Sequence, residues 1–125
     1  MRFMMLMIPS VREQADYEPT PEAVSAMTKY NAELTDAGVL LALDGLQHTS
    51  KGARVAFSGG KPSVSDGPFT EAKEMVGGYW LIQAKSKEEA VEWAKRCPAA
   101  DGDVIEVRQV FEMSDFPPEV QEAAS

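Results

Sequence analysis

The sequence predicts one α+β domain in which two β-α-β halves share a sheet and a β-hairpin is inserted between them. Three observations lead to that fold class. Short apolar or alternating runs recur as strands, two helical segments carry start and stop signals, and a Gly59-Gly60 turn joins two alternating runs midway.

The elements follow in chain order. Phe3 to Ile8 is continuously apolar and is closed by Pro9-Ser10, which reads as a buried strand. A polar loop follows, from Val11 to Pro19. Thr20 then precedes Pro21-Glu22 as an N-cap followed by proline at the first helical position. Val24, Met27, Asn31 and Leu34 recur at helical spacing, and Gly38 supplies a stop, so a helix is expected from Pro21 to Ala37. Val39 to Leu43 is a second strand, ending at Asp44-Gly45. Ala53, Val55 and Phe57 alternate with Arg54 and Ala56, and Lys61 to Ser65 returns beyond the turn as a hairpin. Val76 to Ala84 reads as a central strand opened by Gly77-Gly78. Ser86 to Glu89 has the spacing of a capping box, and the helix it opens runs to Cys97, where Pro98 blocks continuation. Its inner face is expected to hold Ala90, Val91, Ala94 and Cys97. Val104 to Phe111 is the last strand, and Ser114 to Ser125 shows no clear periodicity beyond a short terminal turn.

The resulting order, β-α-β-β-β-α-β, is a ferredoxin-like arrangement with a hairpin insert. Two helices cover one sheet face and leave the other bare. The simplest cover for a bare apolar face is a second copy, so a homodimer is expected.

Composition bounds the function. A length of 125 residues suits one domain. The net charge of −8 opposes binding to nucleic acid or to an anionic membrane. Residues 101–125 hold seven acids and one base, so −6 of that charge sits in the last strand and tail. Cys97 is the sole cysteine and His48 the sole histidine, which excludes an intrachain disulfide and disfavours a His/Cys metal cluster. No P-loop or dinucleotide fingerprint is present, so no cofactor is expected. The run from Phe3 to Ile8 is too short to span a bilayer and lacks the flanks of a signal peptide; a cytoplasmic location is expected.

Chemistry concentrates around the hairpin. Asp66-Gly67-Pro68 forces a tight turn that holds a carboxylate at the hairpin's end, where Asp66 serves either as a base or as a cap of its own turn. His48 is the only side chain whose ordinary titration lies near neutrality, and Asp66 is its natural orienting partner; the competing role is that of an exposed loop residue. Lys51, Arg54 and Lys61 give +3 without an acid between them. With Thr49, Ser50 and the backbone at Gly52, this stretch suits a small carboxylate or phenolate, or else is a solvated hairpin face. Cys97 falls at a helix end that disfavours a thiolate, so a structural thiol is expected.

The strings Gly52-Ala53-Arg54-Val55, Phe57-Ser58-Gly59-Gly60-Lys61, Asp66-Gly67-Pro68-Phe69, Glu71-Ala72-Lys73-Glu74, Gly78-Tyr79-Trp80, Arg96-Cys97-Pro98 and Ile105-Glu106-Val107-Arg108 run through nearly the whole chain. Together they resemble the DGPF branch of the YCII-related proteins. The resemblance implies a domain over residues 1–112 with a C-terminal tail over 113–125, and a ferredoxin-like fold that pairs into a dimeric α+β barrel. It also implies a cleft near the dimer interface, with a His–Asp pair as its proposed active site. Asp66 matches the motif aspartate. Branch members often carry the histidine one position earlier, where this chain has Gln47, so Gln47 and His48 both enter the candidate site. Two functions follow as expectations. One is a small cofactor-free enzyme in which Asp66 and His48 abstract a proton while Lys51, Arg54, Ser50 and Gln47 hold an anionic or aromatic substrate. The other is a non-catalytic dimeric module that binds or senses a small molecule.

Overall fold

The computed structural model describes residues 1–10, 18–67 and 75–125. The loop from Val11 to Tyr17 and the stretch from Pro68 to Glu74, which contains Pro68-Phe69 and Glu71-Ala72-Lys73-Glu74, lie outside the described residues. The elements are β1 (Arg2–Ile8), α1 (Pro21–Asp36), β2 (Leu40–Gly45), a 3-10 turn (Thr49–Lys51), β3 (Ala53–Ser58) and β4 (Lys61–Asp66). They continue as β5 (Gly78–Gln83), α2 (Lys87–Lys95), β6 (Val104–Gln109), a second 3-10 turn (Met113–Asp115) and α3 (Pro118–Ala124). The fold is α+β: a four-stranded antiparallel sheet in the order β2-β5-β1-β6, with β3 and β4 forming a separate two-stranded ribbon.

Local chemistry explains the helix boundaries. Thr20 accepts a hydrogen bond from the Ala23 amide at 3.1 Å, and Pro21 follows where its missing N–H costs nothing. At the other end the Gly38 amide donates to Thr35 and the Val39 amide to Leu34, a Schellman closure. Ser86 caps α2 by accepting from the Glu89 amide. Glu89 reaches one residue further back than the capping-box spacing suggests, accepting from the Lys85 amide at 3.0 Å. The end of the chain forms α3 from Pro118, with Pro117 at its N-cap, a full short helix rather than a single turn.

Strand alternation sorts the sheet into two faces. Phe3 pairs with Ile82 and Met5 with Trp80, and all four are buried under α1 and α2 with Tyr30, Leu34 and Ala90. The inward stripe of α1 is Met27, Tyr30, Asn31 and Leu34; Val24 is 49% exposed. Tyr30 meets Trp80 edge-on at 5.8 Å and donates to the Trp93 carbonyl at 2.7 Å. The Trp80 indole donates to Asn31 Oδ1 at 2.8 Å, which gives the polar residue in the stripe its purpose. α2 ends at Lys95, short of the expected end at Cys97; Trp93 and Ala94 on the helix, and Cys97 just beyond it, pack against this core. Burial pushes the Cys97 thiol up to about 11. The opposite face presents Met4, Leu6, Ala42 and Leu81, which register places side by side and which are all only half-buried.

Candidate functional site

β2 ends at Gly45, and the Leu46 amide donates to the Gly77 carbonyl, which ties the exit of β2 to the entry of β5. The chain then turns tightly. The Lys51 amide donates to the His48 carbonyl at 3.0 Å and the Gly52 amide to the Thr49 carbonyl at 2.9 Å. His48 caps this turn with its ring: Nδ1 accepts a hydrogen bond from the Ser50 amide at 3.0 Å. That bond takes the lone pair of Nδ1 and leaves the neutral ring's proton on Nε2. Nε2 is buried and has no hydrogen-bond partner among the described residues. A buried donor without an acceptor costs about 1–3 kcal/mol.

Asp66 closes β4 opposite Ala53, and its carboxylate is exposed. The Gly67 amide donates to the Gly52 carbonyl at 3.0 Å. A Cβ at Gly67 would meet the Thr49 carbonyl oxygen, so only glycine lets the two turns touch. The Asp-Gly pair is therefore a joint between the hairpin and the His48 turn.

The fold thus brings the His48 turn, with Ser50 and Lys51, against the turn that carries Asp66. Gln47 stands just before His48 and is exposed. Arg54 pairs with Ser65 in the ribbon, so its Cα alternates to the face opposite Ala53 and Asp66. Arg54 and Asp66 therefore leave the ribbon on different sides, unlike the joint grip on one substrate expected from spacing.

Sequence reasoning missed a further polar pair at this end of the sheet. Asp44 and Tyr79 face each other across β2 and β5, and the Tyr79 hydroxyl donates to Asp44 Oδ2 at 2.9 Å. That bond, and the negative charge behind it, raise the Tyr79 phenol above its ordinary range. The available signal was alternation: with Trp80 inward, Tyr79 had to face the open side.

Chemically, the arrangement offers a carboxylate acceptor, a fixed imidazole N–H donor and an ammonium group within one pair of touching turns. Among the described residues, no group of three His, Cys, Asp or Glu side chains is placed to hold a metal ion. No helix among them is long and apolar enough to cross a membrane.

Comparison with known proteins gives the family of the chain. Residues 1–114 match the YCII-related domain. An uncharacterised protein of Rhizobium meliloti (strain 1021) is 30% identical over 86 residues, which is 69% of this chain and 69% of that protein. The chain belongs to the YCII-related family.

Proposed function

We propose that this YCII-related protein, a member of the family's DGPF branch, binds a small anionic or aromatic molecule at the junction of its His48 and Asp66 turns. In the catalytic form of this reading, Asp66 accepts a proton from the bound molecule. His48 Nε2–H donates to the oxygen on which negative charge develops, and Lys51 stands nearby as a counter-charge. His48 is then a donor rather than the base, because its lone-pair nitrogen already serves Ser50. The observation that carries the reading is the buried Nε2, without a partner among the described residues. A ligand oxygen is the partner that would relieve it.

The sheet order supports a ferredoxin-like fold, and the half-buried Met4, Leu6 and Leu81 support pairing through the open face into a dimeric α+β barrel. In that assembly Asp44 and Tyr79 lie at the rim of the shared interior, at the same end of the sheet as the His48 turn. The domain then spans residues 1–112, the remainder is a tail, and the chain works in the cytoplasm without a cofactor.

The exposure of the Asp66 carboxylate favours a second reading, a dimeric binding or sensing module without turnover. A panel of small carboxylates and phenolates separates the two. Asp66→Asn should retain binding within about threefold in either case. Turnover of a bound compound by the wild type and its loss in Asp66→Asn supports the enzyme. Binding without turnover supports the module, and no binding by any compound rejects both.

A further inference from the structure

We propose that the β3–β4 ribbon is an exchange arm, which docks its apolar face in the groove beside Phe111 of a second copy of this chain. Register puts Val55 opposite Val64 and Phe57 opposite Pro62, so these four share one face of the ribbon. Arg54, Ala56, Ser58, Lys61, Ser63 and Ser65 take the other. The apolar face is bare: Val55 is 52% exposed, Val64 69% and Phe57 78%. A lone two-stranded ribbon is marginal in water, and this one has an apolar face that calls for cover.

A matching surface lies at the other end of the molecule. Gln109, Val110, Phe111 and Asp115 line an open groove of about 330 Å³. Phe111 is 71% exposed and stacks on Phe116 at 4.9 Å. An arginine–glutamate pair, Arg2 to Glu112 at 2.6 Å, pins this segment to β1 and so presents the groove in a fixed place. The match is apolar rather than electrostatic: Arg54 and Lys61 stand on the ribbon's other face, and Asp66, at the foot of the apolar face, is the one charge there.

Topology selects the occupant. β2 leaves the sheet at Gly45, beside Gly78, on one edge strand; β6 leaves at Gln109, beside Phe3, on the opposite edge and at the opposite end. Ribbon and groove therefore hang from diagonally opposed corners. The sheet is nearly square, about 14 Å across its strands and about 17 Å along them. A two-fold axis along the other diagonal turns one sheet onto the other and carries each ribbon corner onto the partner's groove corner, twice. Strands of the two sheets then cross nearly at right angles, one of the two ordinary sheet packings. The inference rests on the face-to-face dimer proposed above, and adds the arms that fix its orientation.

Cross-linking tests it in a Cys97→Ala background. One chain carries Phe57→Cys, a second, differently tagged chain carries Phe111→Cys, and the control pairs Phe57→Cys with Val24→Cys on α1. Mild oxidation of the mixed chains should give at least tenfold more disulfide-linked heterodimer than the control. Phe57→Asp, an exposed substitution, should weaken the dimer at least tenfold in sedimentation equilibrium with unchanged far-ultraviolet circular dichroism. A dimer that persists with no excess cross-link, or with Phe57→Asp affinity within twofold of wild type, overturns the exchange arm and leaves the dimer standing. A chain that stays monomeric at every concentration overturns both.

Discussion

A Cβ on Gly67 would lie 1.7 Å from the carbonyl oxygen of Thr49 and 2.6 Å from its carbon. No backbone movement smaller than separation of the two turns relieves that overlap. Gly67→Ala should therefore destabilise the protein by about 1–3 kcal/mol, as overpacking does elsewhere. It should also free the His48 ring from the Ser50 amide. Urea denaturation reads the first effect and the Ser50 amide resonance the second. Wild-type stability with an unshifted Ser50 amide would show that the turns do not need this contact.

The Trp80 indole gives the core its one described link to a side-chain amide, at Asn31. Removing the acceptor leaves a nearly buried N–H unsatisfied, so Asn31→Ala should cost about 1–3 kcal/mol. Asn31→Asp retains an acceptor oxygen and should cost less at neutral pH. Chemical denaturation followed by Trp fluorescence checks the order. Equal losses in the two variants would mean that helix packing, not the hydrogen bond, sets the cost.

These two contacts show what the sequence did and did not make legible. Periodicity located the strands and both long helices, because Phe3 and Met5, or Trp80 and Ile82, must alternate to reach one face. Capping residues located the ends of α1 for the same local reason. The stripe of α1 was rotated, with Tyr30 inward and Val24 outward. Helical spacing fixes a face only to within a residue or so, and the tertiary partner Trp80 decides the rest. At the site, the spacing led to an expected side-chain pair of His48 and Asp66, whereas the ring's described hydrogen bond is to the Ser50 amide. The joint of their turns is backbone to backbone, Gly67 to Thr49, and no side-chain pattern records that.

Cys97 supplies a pH dependence. Burial raises its thiol from an ordinary 9.0 to about 11 in the folded chain. The unfolded chain loses this proton first, so the contribution is complete below pH 9.0 and is lost as pH rises towards about 11. Allowing for the partial exposure of the sulfur, wild type should lose about 1–2 kcal/mol more than Cys97→Ala between those limits. Urea denaturation of both chains at pH 8 and pH 11 gives the difference. Parallel loss in the two would assign the decline to other groups.

The open sheet face makes its own prediction. Leu81 sits there beside Met4 and Ala42. Leu81→Glu places a charge at the centre of the proposed dimer interface while leaving the helix-covered core intact. Sedimentation equilibrium should find it monomeric at concentrations where wild type is dimeric, with unchanged far-ultraviolet circular dichroism. A variant that dimerises as well as wild type would move the interface elsewhere.

The most direct test of the site is the His48 ring itself, read by ¹⁵N-edited imidazole spectra during titration with small carboxylates and phenolates. The free protein should show the proton on Nε2, with Nδ1 as the acceptor. At least one compound should shift Nε2–H and the Ser50 amide together, and Gly67→Ala should abolish the response. A ring protonated on Nδ1 in the free neutral protein, or an Nε2 resonance indifferent to every compound, would contradict a ligand site at this junction.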